Sequence, residues 1–297
     1  TIEAGSTEAG ETDKDIAINA TSSTNSTITN SGTIRASGDN AISLQSSTGL
    51  TINNESTGTI ATTNRKFAIK GPATNLTINN YGTISSGSDK AIFAGGDNWS
   101  ISNYSGGTIS ASGAGAIFFD GDASDAIIYN EGTITSSGSN TVRLNELIRP
   151  TLTNHGTISS ATGSETVNIR ETTGARITNT GSIKSLGNNS AIGALKAIDA
   201  TIDNSGTIHA EGDNAVKLDG SGGVGVTGAS ITNSGTISAG GDEAIYIGNN
   251  SSGIAITNSG IINAIGTSAI HGDNNVFGFT LTNSGTITAD DKTVYLE

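Results

Sequence analysis

Histidine and carboxylate side chains are the groups that could support catalysis in this sequence, and they are thinly spread. The chain of 297 residues contains three histidines and no cysteine. His155, His209 and His271 fall at different points of the repeat described below, so each is predicted to be a solvated surface residue. No two of them are expected to share a metal ion or a Ser-His-Asp unit. Thiolate sites and disulfides are excluded because cysteine is absent.

Aspartate occurs in two groupings that resemble sites. Asp120, Asp122 and Asp125 lie in one turn, and carboxylates beside a sugar groove are the groups that cleave glycosidic bonds. A Gly/Asp-rich turn accounts for these residues equally well. The other grouping precedes one strand of several repeats, where stacked oxygens suit Ca²⁺, and consists of Asp39, Asp89, Asp213 and Asp242. The Gly-Gly-x-Gly-x-Asp nonapeptide of calcium-binding β-rolls is absent. The sequence therefore predicts no catalytic residue, no metal and no cofactor.

A phrase built around isoleucine recurs along nearly the whole chain, as in Ile28-Thr29-Asn30-Ser31-Gly32-Thr33-Ile34. Its last isoleucine falls at positions 34, 60, 84, 109, 134, 158, 183, 208, 237, 262 and 287. The steps are 24 to 26 residues, with a single step of 29. A period of this length indicates stacked supersecondary units that pack only on their neighbours. Residues 1–297 are therefore predicted to form one elongated domain.

Each repeat contains three short segments of alternating apolar residues, separated by Gly, Ser, Asn and Asp. This pattern is typical of strands. Thr33–Ala36, Ala41–Leu44 and Thr51–Asn54 form one such set, in which isoleucine faces inward because side chains alternate along a strand. Three inward faces close a triangular coil, and coils about 4.8 Å apart pair in parallel. The sequence predicts an all-β, three-stranded parallel β-helix with about 25 residues per coil and about 11 to 12 coils.

An asparagine ends the third strand of every repeat. Asparagine tolerates left-handed backbone angles at turns, and stacked amides hydrogen-bond to each other along the axis of a parallel stack. We predict a structural asparagine ladder formed by Asn30, Asn54, Asn80, Asn103, Asn130, Asn154, Asn179, Asn204, Asn233, Asn258 and Asn283.

The ends of the chain continue the strand pattern. Thr1–Ala4 matches the first strand of a repeat, Asp15–Ile18 matches the second, and Thr293–Leu296 matches the second again. Solenoids carry caps that hide their open edges, and no cap is recognisable, so we expect a segment cut from a longer array. The extra residues of the 29-residue step lie in Asp219–Ala229, whose glycine content predicts first a flexible spacer and second a protruding loop that makes contacts.

Charge narrows the possible partners. The formal net charge is −13, and Lys and Arg together number only 14. Such a chain lacks the basic footprint of a nucleic-acid-binding protein. It also lacks an apolar run of about 18 residues, so direct membrane insertion by this segment is not expected.

Two outward-facing columns are the candidate binding surfaces. The first strand presents hydroxyls, which suit a solvated strand or a polar zipper with a second copy, at Thr33, Thr59, Thr83, Thr108, Thr133, Thr157, Thr207, Thr236 and Thr286. The second strand presents aromatic and cationic residues at Lys70, Phe93, Phe118, Arg143, Lys217, Tyr246, His271 and Tyr295. These residue types favour interfaces, and they equally favour cation–π and ring contacts within the rod.

The repeated Asn-x-Gly-Thr-Ile phrase resembles the passenger domains of Gram-negative autotransporters, especially self-associating surface adhesins. The resemblance spans residues 1–297 and implies a right-handed β-helix at the bacterial cell surface, anchored through a C-terminal β-barrel outside this sequence. It implies an adhesin that binds itself or a host protein or glycan, and not an enzyme. A β-helical carbohydrate-active enzyme and an inert spacer are the alternatives.

Overall fold

The computed structural model describes residues 1–4, 16–63, 66–121, 123–138, 140–162 and 164–297. Within these residues the chain forms 35 strands in three parallel sheets and no helix. The first sheet consists of β1 (Ile2–Ala4), β4 (Thr33–Ala36), β7 (Thr59–Thr62), β10 (Thr83–Ser86), β13 (Thr108–Ala111), β16 (Thr133–Ser136), β19 (Thr157–Ser160), β22 (Ser182–Ser185), β25 (Thr207–Ala210), β28 (Thr236–Ala239), β31 (Ile261–Ala264) and β34 (Thr286–Ala289).

The second sheet consists of β2 (Ile18–Asn19), β5 (Ile42–Ser43), β8 (Ile69–Pro72), β11 (Lys90–Gly95), β14 (Gly115–Asp120), β17 (Val142–Asn145), β20 (Val167–Arg170), β23 (Ile192–Leu195), β26 (Val216–Asp219), β29 (Ile245–Ile247), β32 (Ser268–Gly272) and β35 (Lys292–Leu296). The third sheet consists of β3 (Thr27–Asn30), β6 (Thr51–Asn54), β9 (Thr77–Asn80), β12 (Ser100–Asn103), β15 (Ile127–Asn130), β18 (Thr151–Asn154), β21 (Arg176–Asn179), β24 (Thr201–Asn204), β27 (Ser230–Asn233), β30 (Ala255–Asn258) and β33 (Thr280–Asn283).

The three sheets confirm the predicted three-stranded parallel β-solenoid of about 25 residues per coil; its handedness stays a prediction. Each sheet pairs strands that are three apart in the chain, so equivalent residues stack in register. In the first sheet, for example, Ile84 pairs with Ile60 on one side and with Ile109 on the other. All three side chains are fully buried, and each contributes about 1.5 to 3 kcal/mol through burial. The core is a set of such apolar columns inside the coil.

The register of the first coil differs from the prediction by two residues. We expected Ile16 opposite Ile42, but Ile18 pairs with Ile42. A shift of two keeps the same face inward. The shift occurs because the turn lengths match in this register. Ile18 lies ten positions before Ile28, and Ile42 lies ten positions before Ile52, the residue that pairs with Ile28 in the third sheet. Asp15 lies outside the described residues.

Glycine is required at the corner between the third and first sheets because successive coils approach closely there. A Cβ atom added to Gly206 would lie 2.2 Å from the carbonyl oxygen of Gly181 in the preceding coil. A Cβ atom added to Gly82 would likewise lie 2.2 Å from the carbonyl oxygen of Gly58. This contact explains the invariant spacing of the Gly-Thr-Ile part of the phrase.

Within the segment Asp219–Ala229, Ser221 and Val224 form a small antiparallel hairpin; its flexibility stays a prediction. Ser221 N donates to Val224 O at 3.0 Å. Gly222 and Gly223 between them have φ values of 64° and 82°, the positive angles that a tight hairpin turn needs and that glycine accepts at low cost. After the hairpin, Val226 and Ala229 return to the core.

Candidate binding faces

In-register pairing places the eight predicted binding residues of the second sheet in one column. Lys70 pairs with Phe93, Phe93 with Phe118, and Phe118 with Arg143. Asn168 and Gly193 interrupt the column. It resumes in register at Lys217, Tyr246, His271 and Tyr295. The structure therefore divides the predicted face into an N-terminal cluster and a C-terminal cluster.

The N-terminal cluster alternates cations with aromatic rings. Lys90 Nζ lies 5.3 Å from the ring centre of Phe67 and 4.9 Å from that of Phe118. Arg143 Cζ lies 5.5 Å from the ring centre of Phe118. The rings of Phe67 and Phe93 stack with their centres 5.0 Å apart. Such contacts contribute about 0.5 to 2 kcal/mol each, and here they join four neighbouring coils.

Phe67 and Lys90 were missed by the sequence analysis. Each lies two residues before an inward isoleucine of the second sheet, Ile69 or Ile92, so strand alternation alone would turn it inward. Ala68 and Ala91 are buried as well as the isoleucines, so the alternation breaks at this corner, and Phe67 and Lys90 stay half-buried beside the predicted column. The equivalent position before Val142 holds Asn140, which is 7% exposed. Comparison of residues at that position in successive repeats would have revealed it.

Phe118 does not form an exposed aromatic platform, contrary to the expectation for a binding ring. Its side chain is only 5% exposed. Lys90 and Arg143 both contact the ring, and a Cβ atom added to Gly115 would lie 2.4 Å from it. At Phe118 the surface is therefore formed by the covering cations, whereas Phe67 and Phe93 are half-buried.

The C-terminal cluster is a hydrogen-bonded ring stack. Tyr246 Oη donates to Asp273 Oδ2 at 2.9 Å, and His271 Nδ1 lies 3.1 Å from Glu243 Oε1. The ring centres of His271 and Tyr295 are 5.2 Å apart. The His271 side chain is 19% exposed, so the prediction of a solvated histidine is wrong: two neighbouring coils cover this ring.

Burial and hydrogen bonds shift two pKa values in the C-terminal cluster. Burial, followed by the hydrogen bond to Asp273, raises the pKa of the Tyr246 phenol. Burial alone would raise the pKa of Glu243, but hydrogen bonds from Thr267 and His271 outweigh it and lower that pKa. Tyr246 is therefore held as a neutral hydrogen-bond donor, and Glu243 is held as a carboxylate.

The outward side of the first sheet from β4 to β34, which we call the hydroxyl face, carries two columns of mostly small polar side chains; β1, at the end of the sheet, adds Glu3 opposite Arg35. Thr83 pairs with Thr59 and Thr108, and Ser85 pairs with Ala61 and Ser110. From β4 to β34 the outward residues include no carboxylate and only two permanent cations, Arg35 and Lys184. The second column consists of Arg35, Ala61, Ser85, Ser110, Thr135, Ser159, Lys184, His209, Ser238, Asn263 and Thr288.

The asparagines form a continuous chain of side-chain hydrogen bonds parallel to the rod axis. Nδ2 of each asparagine donates to Oδ1 of the asparagine in the next coil at 2.7 or 2.8 Å, from Asn30 to Asn283. The same nitrogen reaches backbone carbonyls, as Asn54 does with Gly58 and Thr83. The aligned amides bridge the corner between the third and first sheets.

An aromatic stack at that same corner was also missed by the sequence analysis. The rings of Tyr81 and Tyr104 are parallel, with centres 4.4 Å apart, and Tyr129 and His155 extend the stack. Tyr81 is 41% exposed. Partial burial, followed by the neighbouring Tyr104, raises the pKa of Tyr81. The signal was the residue that follows the ladder asparagine, which is Tyr81, Tyr104 or His155 in three of four successive repeats.

In the described part of the chain, most of the carboxylates considered as catalytic or metal-binding groups have other partners. Asp120 accepts a hydrogen bond from Asn145, and Asp125 pairs with Arg149 at 2.9 Å; Asp122 lies outside the described residues. Among the second grouping, Asp89 pairs with Lys90 at 2.9 Å. In the described part of the chain, no group of three or more His, Asp or Glu side chains is arranged to hold a metal ion.

No protein family model, curated protein or solved structure matches this chain. Among the described residues there is also no helix long and apolar enough to cross a membrane.

Proposed function

We propose that this chain is an adhesive rod that associates with a second copy of itself through the hydroxyl face. The observation that carries the proposal is the distribution of charge. The chain has a net charge of −13, yet the outward positions of β4 to β34 hold no Asp or Glu. Two acidic rods repel each other, and this face is the one on which they approach without opposing carboxylates.

The shape and chemistry of the hydroxyl face support a zipper-like contact. Its side chains are short and repeat in register from coil to coil, as in Thr108 opposite Thr133. The third sheet is less even, because Tyr129 and the Arg176–Asp203 ion pair protrude from it. Hydroxyl pairs contribute only about 0.5 to 1.5 kcal/mol each. Affinity would therefore come from many contacts along a rod of about 50 Å.

A location at the bacterial surface is part of the same proposal. It is supported by the resemblance of the Asn-x-Gly-Thr-Ile phrase to autotransporter passengers. On a cell, many copies of a weakly associating rod would act together, and such multivalency raises the strength of attachment without new contacts. The protein would then join neighbouring cells that display the same rod.

Sedimentation velocity over a protein-concentration series tests the proposal. We expect concentration-dependent dimers that become more abundant as salt rises from about 0.01 M to 0.15 M, because the screening length falls from about 30 Å to 8 Å. The double variant Thr108→Glu, Thr157→Glu places carboxylates on the hydroxyl face and is expected to be monomeric.

The matched control is the double variant Thr77→Glu, Thr151→Glu. It makes the same chemical change at the first residue of two strands in the third sheet and should dimerise like the unchanged protein. A control that loses association while the hydroxyl-face variant keeps it would show that the third sheet is the contact. An unchanged protein that stays monomeric would refute self-association and favour the spacer alternative.

A further inference from the structure

An open groove of about 490 Å³ crosses the second sheet beside the N-terminal cluster. We call it the guanidinium groove, and the residues that matter for its chemistry are Phe118, Asn140, Arg143, Glu165, Asn168 and Arg170. Its size lies within the range of about 300 to 1,000 Å³ that is usual for small-molecule sites. It lies on a different sheet from the hydroxyl face.

Arg143 has hydrogen-bonding capacity that the protein does not use. Its Nε atom is buried and has no hydrogen-bond partner among the described residues. In the same part of the chain its guanidinium forms no ion pair. The group stacks on Phe118, which holds it in place. A charged group that no carboxylate of the described residues neutralises is costly, so an anionic ligand that reaches the groove-facing side of this guanidinium would gain affinity by supplying the opposite charge.

The other cations of the groove already have carboxylate partners. Lys90 Nζ lies 2.9 Å from Asp89, and Arg170 lies 3.5 Å from Glu171. Among the described residues, Arg143 is therefore the groove cation that has no ion-pair partner. The planar guanidinium fork matches a carboxylate in two parallel hydrogen bonds, which an ammonium group cannot do.

Glu165 shows that the groove is chemically suited to a carboxylate. Its Oε2 atom accepts hydrogen bonds from Asn140 Nδ2 at 3.1 Å and from Asn168 Nδ2 at 3.2 Å. Asn140 lies three residues before Arg143 in the chain, and Asn168 pairs with Arg143 in the strand of the next coil. Asn140 Nδ2 also donates to the backbone oxygen of Glu165 at 3.0 Å, so Asn140 can offer a hydroxyl group only its amide oxygen, whereas Asn168 donates one hydrogen bond among the described residues and has a second N–H for a ligand. The charge of Glu165 opposes a second anion in the groove.

We propose that the guanidinium groove binds an acidic oligosaccharide, with a uronate carboxylate on Arg143 and neighbouring sugar hydroxyls on Asn140 and Asn168. A saccharide fits better than an acidic peptide because the groove is open and lined mainly by amide and charged groups. Peptides are anchored by apolar side chains in closed pockets, and Leu195 is the one aliphatic side chain of appreciable size in the groove. This inference is independent of self-association.

Isothermal titration calorimetry with a galacturonic acid tetramer tests the inference, with the methyl-esterified tetramer as the uncharged probe. The acidic tetramer should bind, and the ester should bind at least about tenfold more weakly. Arg143→Gln should weaken binding of the acidic tetramer by about tenfold or more. Arg143→Lys should restore part of it, and Glu165→Gln should strengthen it because a competing charge is removed.

Arg176→Gln is the matched control, since it removes the same charge from the third sheet, where Arg176 pairs with Asp203. Its affinity for the tetramer should stay within about twofold of the unchanged protein.

Equal losses of affinity in Arg143→Gln and Arg176→Gln would overturn the inference. Equal binding of the acid and the ester, or no binding by the unchanged protein, would also overturn it. Tighter binding of tetraglutamate would show that the groove is a peptide site instead. Tighter binding of a sulfated neutral tetrasaccharide would show that Arg143 prefers a sulfate to a carboxylate and would overturn the assignment of a uronate. Retained binding in Thr108→Glu, Thr157→Glu separates this site from self-association.

Discussion

The asparagine ladder makes a quantitative prediction at Asn154, which is fully buried in the middle of the rod. Its Nδ2 atom donates to Asn179 Oδ1 at 2.7 Å and to the carbonyls of Gly156 and Ser182 at 3.2 Å. Its Oδ1 atom accepts from Asn130 at 2.7 Å. Asn154→Ala removes these four hydrogen bonds. At about 1 kcal/mol each, and with water reaching the half-exposed carbonyls, the loss of stability should be about 2 to 4 kcal/mol.

Asn154→Asp should be more harmful than Asn154→Ala at pH 7. A carboxylate cannot donate to Asn179, and it buries a charge beside that oxygen, so burial raises the pKa of the introduced acid. The added cost of Asp is expected at neutral pH, and it should shrink as pH falls below the raised pKa and the acid becomes neutral. This ordering distinguishes a hydrogen-bonding role from simple space filling.

Urea unfolding followed by circular dichroism measures both effects. Thr153→Ala, on the outward side of the same strand, is the control and should change the free energy of unfolding by less than about 0.5 kcal/mol. The reasoning would be refuted by an Asn154→Ala variant as stable as the control. It would also be refuted if the Asp variant were the more stable of the two substitutions at pH 7.

Three other predictions concern the packing of the rod. Phe118→Ala should reduce the free energy of unfolding by about 3 to 5 kcal/mol, the range for buried phenylalanine; a change below 1 kcal/mol in urea unfolding would contradict the burial of this ring. Gly206→Ala should destabilise strongly because its Cβ would lie 2.2 Å from a carbonyl oxygen, whereas Gly32→Ala meets no atom closer than 4.0 Å and should keep its urea midpoint. Glu243 has a lowered pKa, so its contribution to stability is present above the usual value of 4.5 and is lost as pH falls through the lowered value. Glu243→Gln should therefore reduce the difference in melting temperature between pH 7 and pH 3, and an unchanged difference would count against this role.

The architecture was predictable because its cause is local and repeated. Each coil carries the same alternation of isoleucine with polar residues, and a period near 25 leaves stacking as the way to bury those faces. In-register stacking then brings equivalent residues together. The asparagine column and the threonine column of the first sheet could therefore be predicted by aligning the repeats. The two-residue shift at Ile18 is the exception, because strands of two residues carry little pattern and the turn length decides their register.

The sequence by itself determined the columns of this protein: which residues share a face, and which faces lie inside. Only the tertiary structure decided what covers each outward side chain. Lys90 reaches Phe118 in the next coil, His271 is enclosed between Tyr246 and Tyr295, and Arg143 Nε has no acceptor in the described part of the chain. The physical reason is that strand alternation depends on the local backbone. Contacts between long side chains depend on rotamers and on the precise offset of neighbouring coils, and a repeat pattern does not encode these.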